Sequence, residues 1–167
     1  MAARVKLDLP ESLWSARDSA GLAANTLASI KLRTSKGKDA DDRSFKPYST
    51  NPLYVAKRGA RLAPKGGRPT RDGSGIFYEG GYRQYKEESR RRGGAGDSAE
   101  VDLVLSGNMI NNLVVLSSSV DHFTIGLTDK AQYGYAVNEI REFLGLSDRD
   151  VDILVRAIEL EIRSKIR

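Results

Sequence analysis

The sequence predicts an α+β fold with a long N-terminal helix, a small antiparallel β-sheet containing a hairpin, a C-terminal helix and a long extended basic arm. Three observations lead there. Apolar residues from Leu13 to Ile30 and again from Val151 to Ile166 recur at spacings of three and four, the period of a helix face. Between Val114 and Leu127 two runs rich in β-branched residues flank a polar turn at Ser118 to Asp121. From Thr34 to Gly75 periodicity disappears and four of the five prolines occur.

At 167 residues the chain suits one domain with a core. Its parts divide as an N-terminal helix (1–33), an extended basic arm (34–98, with a short helix over 82–92) and a compact α+β part (99–167). In the first part, Asp8 and Glu11 have capping-box spacing, and Pro10 fits a first helical turn. Leu13, Ala16, Ala20, Ala23, Leu27 and Ile30 then form a narrow apolar stripe. In the arm, Phe45, Tyr48, Leu53, Tyr54 and Val55 are the anchors. A structureless connection longer than about 15 residues is uncommon within a compact domain. Ordering it costs roughly 1–2 kcal/mol per residue, so the arm is expected to lie against neighbouring subunits.

Ile76, Phe77 and Tyr78 can make a short extended piece, and residues 82–92 can form a helix between Gly81 and Gly93, with Glu87–Arg91 and Glu88–Arg92 as i,i+4 pairs. In the compact part, alternation predicts a strand over Val101–Leu105 and a short helix over Ser106–Leu113. The hairpin and a helix over Asp129–Glu139 follow. Ser147 with Asp150 caps the last helix, whose stripe is Val151, Leu154, Val155, Ile158, Ile162 and Ile166.

The formal net charge of +5 hides an asymmetry. Lys31 to Ala95 holds 17 Lys and Arg against 7 Asp and Glu, and the flanks hold 10 against 15. Such a basic middle suits nucleic acid or the acidic face of another copy of the chain. The absence of cysteine excludes disulfides and thiolate chemistry. No run approaches the roughly 18 apolar residues of a membrane span, and the charged N-terminus predicts no signal peptide. No membrane partner is expected.

Motifs for catalysis are sparse. The single histidine, His122, reads as a turn residue, and "DGSGI" misses the G-x-S-x-G elbow. "PKGGRPT" lacks the phosphate-loop pattern, and Asp39, Asp41 and Asp42 lack the spacing of a calcium loop. We therefore expect no enzyme activity, no cofactor and no metal site. The strongest chemical feature is a set of cations, Lys57, Arg58, Arg61, Lys65, Arg68, Arg71 and Arg90, Arg91 and Arg92. They suit subunit interfaces or contact with a nucleic-acid backbone. Tyr82 and Tyr85, three apart on one helix face, suit packing.

Four fragments, "RSFKPYSTNPLYVAKRG", "GGYRQYK", "VDLVLSGNMINNL" and "REFLGLSDRDVDIL", occur in this order. Together they resemble the Mu-like tail-completion or virion-morphogenesis proteins of tailed bacteriophages, over roughly Arg43 to Ile166. Two departures stand out: Ser106 precedes Gly107 where that family often has threonine, and Arg141-Glu142 precede Phe143 where it often has proline. The turn has a physical reading of its own. Phe143, Leu144 and Leu146 anchor it, Gly145 permits the bend and Ser147 starts the helix.

The resemblance implies a structural protein of the virion neck, a tail terminator or connector assembled in the host cytoplasm as a ring of six- or twelvefold symmetry. Its partners would be other copies, portal-adaptor and tail proteins, with non-specific contact to genomic DNA in the conduit. Two other classes compete: a basic nucleic-acid-binding protein with an extended arm, and a small enzyme using converging carboxylates.

Overall fold

The computed structural model describes residues 2–9, 12–60, 62–89 and 101–166. The fold is α+β. Its main layer is a three-stranded antiparallel sheet of order β1 (Ala3–Lys6), β6 (His122–Leu127), β5 (Leu113–Ser118). One face is covered by α1 (Ala16–Ser35), against which α5 (Asp148–Ile166) packs. The hairpin stands as expected, with a register shift between Val115 and Ser117. Alternation explains the burial: Phe123, Ile125 and Leu127 point into the core with Leu113, Leu22, Ala23 and Ile30.

The chain start differs from the expected helix. Ala3–Lys6 pair with β6, Val5 opposite Phe123. α1 begins later because Ser15 and Asp18 close a capping box: the Ser15 amide donates to Asp18 Oδ2 (2.8 Å) and the Asp18 amide to Ser15 Oγ (3.3 Å). Pro10 and Glu11 lie outside the described residues. Ala16 and Ala20 of the expected stripe are exposed. The buried face runs instead through Ser19, Leu22, Ala23, Thr26 and Ile30, and the hydroxyls of Ser19 and Thr26 are hydrogen-bonded. Ser19 Oγ accepts from Trp14 Nε1 and donates to the Val120 carbonyl, both at 2.7 Å, and Thr26 Oγ1 donates to the Leu22 carbonyl.

The arm is not without regular structure. It holds a second antiparallel sheet of order β2 (Leu53–Ala56), β4 (Gly75–Tyr78), β3 (Arg68–Pro69), followed by α2 (Gly81–Ser89). Ile76, Tyr78 and Tyr85 form a cluster of their own, flanked by Leu53, Val55, Tyr82 and Leu105. Tyrosine hydroxyls pin the aperiodic backbone: Tyr78 Oη donates to the Lys65 carbonyl (2.6 Å) and Tyr85 Oη to the Leu62 carbonyl (2.8 Å). The Lys65 amide donates to Ser89 Oγ and the Gly67 amide to Glu88 Oε2. Gly67 needs its left-handed φ of +60°, and a Cβ there would meet Ile76 Cγ2 at 2.6 Å.

Val101–Leu105 is not a strand. Asp102 is buried in an ion pair with Lys86, and its carboxylate accepts from the Val104 amide (2.9 Å), which bends the chain; Leu103 takes φ 54°. The later elements are α3 (Asn108–Asn111), a 3₁₀ turn (Asp129–Ala131) and α4 (Tyr133–Ile140).

Half of the expected α5 stripe is outside the core. Leu154 is buried and Ile158 and Ile162 pack on the core, while Val151, Val155 (48% exposed) and Ile166 (67%) face outward. The helix is rotated so that Asp150 also faces inward, toward Arg33. Among the described residues no helix is long and apolar enough to cross a membrane.

Candidate functional site

An open cleft of about 370 Å³ lies where the two sheets' clusters meet. Tyr48, Tyr82, Leu103, Met109, Tyr133 and Arg141 line it, together with Ser106 and Gly107. Each wall has a local cause. Arg141, just beyond α4, donates from Nε to the Lys46 carbonyl (3.2 Å) and from Nη2 to the Pro47 carbonyl (3.1 Å), and its guanidinium stands 5.2 Å from the Tyr48 ring. Tyr48 meets Tyr82 edge-on at 5.1 Å, Tyr82 meets Tyr85 at 5.9 Å, and Tyr85 meets Tyr78 at 5.3 Å. Tyr82 and Tyr85 thus pack, as their spacing suggests.

Behind the tyrosines, the buried Lys86 ammonium donates to Tyr48 Oη (2.9 Å) and pairs with Asp102. Tyr48 Oη also accepts from the Leu103 amide (3.2 Å). Burial first, then the neighbouring Tyr82 and Asp102, pushes the Tyr48 hydroxyl above its ordinary value, so it stays protonated. Gly107 turns the chain into α3 with φ 80°, and exposed Ser106 accepts from the Asn108 amide. Among the described residues the walls carry aromatic, apolar, amide and hydroxyl groups and one guanidinium, and no carboxylate. Chemically this is a surface for holding an apolar or aromatic side chain.

The turn after α4 behaves partly as expected. Phe143 and Leu144 are buried, and Ser147 and Asp150 form a capping box. Gly145 lies in the bend, as expected; its φ is not positive, and a Cβ there would stand 2.8 Å from Ala40 Cβ, so it also allows close packing of two segments. The Arg33–Asp150 ion pair beneath it had no sequence signal beyond the cap. Arg33 Nη2 also donates to the carbonyls of Phe143 (3.0 Å) and Gly145 (2.9 Å). Burial alone would raise the Asp150 carboxyl; bonds from Ser29 and Ser147 and the Arg33 charge outweigh it and hold the group below the usual carboxylate range.

None of the described sequence-predicted cations lines the cleft. Lys57, Arg58, Lys65, Arg68 and Arg71 are exposed on and around the second sheet, with Arg68 paired to Glu79 at 3.0 Å. Arg61, Arg90, Arg91 and Arg92, and the i,i+4 pairs involving the last two, lie outside the described residues. His122 Nδ1 is 2.8 Å from both Asp121 Oδ1 and Ser119 Oγ. A proton relay needs the acid and the hydroxyl on opposite ring nitrogens, so this is a turn network. The Asp39 carboxylate accepts from the amides of Asp41 and Arg43, which is likewise turn chemistry. Among the described residues no group of three or more His, Asp or Glu is placed to hold a metal ion.

Comparison with protein-family models, with curated proteins and with solved structures returns no match.

Proposed function

We propose that this chain is a non-enzymatic structural protein of the tailed-phage virion, a tail-completion or connector component that joins head and tail at the neck. One observation carries the reading. The fragments whose order resembles that family, far apart in sequence, supply most of the walls of a single cleft: Tyr48 from "KPYS", Tyr82 from "GGYRQYK", Ser106 to Met109 from "SGNM" and Arg141 from "REFLGL", joined by Tyr133 and Val137 of α4. An aromatic recess closed by a buried ion pair suits reception of a side chain from an adjoining subunit. The opposite charge of the basic middle and the acidic flanks favours head-to-tail association of copies around a ring.

Electron microscopy of particles made by a phage lacking this coding sequence tests the proposal. Full heads beside separate finished tails are expected; normally joined particles overturn it.

A further inference from the structure

The second sheet has an outward face that its own cluster does not use. Leu53, Val55, Ile76 and Tyr78 point inward. On the other face Arg68, Phe77 and Tyr54 form one row of directly opposed partners across β3, β4 and β2. Tyr54 is 49% exposed and Phe77 38%. Single exposed aromatics are common, but two side by side in a row with arginine are not explained by burial.

The row is preorganised. Gly75 has an ordinary φ, so backbone strain does not require glycine there. A Cβ at this position would lie 2.4–2.6 Å from the Tyr54 ring. The missing side chain therefore lets the tyrosine ring lie down on the strand, and Tyr54 Oη is held 3.0 Å from Ser74 Oγ. The tyrosine thus rests against its own sheet on one side and remains half exposed.

The surroundings are cationic. Between Leu53 and Tyr78 the sequence has six Lys and Arg and one acid, Asp72. The Lys57 amide donates to the Ser74 carbonyl, which brings Lys57 and Arg58 to the Tyr54 end of the sheet. The nearby carboxylate of Glu79 pairs with Arg68 at an exposed site, a contact worth about 0–1 kcal/mol that a phosphate can replace. Rigid aromatic faces bordered by cations match a polyanion that carries free planar rings.

We infer that the Tyr54–Phe77–Arg68 face binds single-stranded nucleic acid, the two rings stacking on unpaired bases while Arg68, Lys57 and Arg58 contact phosphates. Duplex DNA meets only the cations, because its bases are already stacked. The inference stands independently of the neck proposal.

Fluorescence anisotropy of the full chain with labelled 20-nucleotide oligo-dT, oligo-dU and oligo-U, at several salt concentrations, tests it. Unlabelled oligo-dT is expected to displace the probe better than a 20-base-pair duplex or inorganic polyphosphate of equal charge. Tyr54→Leu and Phe77→Leu keep apolar bulk and remove stacking, and each is expected to weaken binding by about 5- to 150-fold. Arg68→Gln is expected to lower the salt slope by about 0.7. A preference between oligo-dU and oligo-U, which share a base, identifies the sugar, and binding of either one supports the proposal. Parent-like binding by the leucine variants, equal competition by polyphosphate, or no binding at low salt overturns it. If circular dichroism shows a leucine variant unfolded, photocrosslinking the unaltered chain to 5-bromouracil-substituted oligo-dT decides instead. Adducts at Tyr54 or Phe77 support the face; adducts confined elsewhere overturn it.

Discussion

Lys86 in α2 and Asp102 ahead of α3 form an ion pair with both side chains almost wholly removed from solvent. Removing one partner of such a pair leaves an uncompensated buried charge, at a cost of about 3–5 kcal/mol. Lys86→Met and Asp102→Asn are each expected to lose stability on that scale in urea denaturation. The double variant is expected to lose less than the sum of the two, and strict additivity would rule out the coupling.

α1 and α5 are tied at both ends by acids whose carboxyls are depressed. Asp150 pairs with Arg33, and Asp18, paired with Lys165 and bonded by Ser15, is held down to about 2. The unfolded chain binds these protons near pH 4, so it takes up protons before the folded state does. Stability is expected to be full above about pH 4 and to fall as pH drops toward about 2. Thermal melting across that range, repeated with Asp150→Asn, checks it: the variant is expected to be less stable at neutral pH and to show a shallower acid slope.

Gly67 and Gly59 both have positive φ, but only Gly67 faces a crowded wall. Gly59→Ala is expected to cost about 1 kcal/mol from backbone strain alone. Gly67→Ala adds contacts with Ile76 and the Phe77 carbonyl and is expected to cost clearly more. Hydrogen exchange in β4 would show the loss directly; equal effects at the two sites would contradict the packing.

Leu154 and Val155 are neighbours that separate the two faces of α5. Leu154→Ala is expected to cost about 2–5 kcal/mol. Val155→Ala, at a half-exposed site, is expected to stay within about 0.5–1 kcal/mol in the isolated chain. A reversal of that order would mean the helix is rotated.

Arg141→Gln removes both bonds to the Lys46 and Pro47 carbonyls while leaving the core intact. It is expected to lower head–tail joining more than melting temperature. Particle counts by microscopy beside a melting curve separate the two effects; a variant that joins normally would remove the cleft from the neck proposal.

Elements signalled by local periodicity were readable from the sequence: the hairpin, the Ser147–Asp150 cap and the two long helices. What escaped depends on distant partners. Val101–Leu105 alternates like a strand, yet Lys86, fifteen or more positions away, pulls Asp102 inward and breaks the alternation. Ala3–Lys6 is too short to signal pairing until β6 stands beside it. α5 has a stripe, but its rotation is set by Arg33 reaching Asp150. In the arm the extended piece at Ile76–Tyr78 was readable and is β4, whereas glycines and prolines conceal β2 and β3 because tyrosine hydroxyls hold the backbone there, and no periodicity records that. The cleft's segments were legible one at a time as motifs, whereas their meeting was not.

The placement of aromatic residues also labels the molecule optically. Trp14, the sole tryptophan, is buried in the larger cluster, whereas Tyr78, Tyr82 and Tyr85 belong to the smaller one. Indole emission therefore reports on the larger cluster and far-ultraviolet circular dichroism on both, whereas tyrosine emission mixes the two because Tyr48, Tyr133 and Tyr135 also pack against the larger one. Following indole emission and dichroism along one denaturation curve asks whether the two clusters melt as a single cooperative unit, with no dye or added mutation. Coincident curves would mean that the Lys86–Asp102 pair couples them; separated curves would make the arm an independently melting unit.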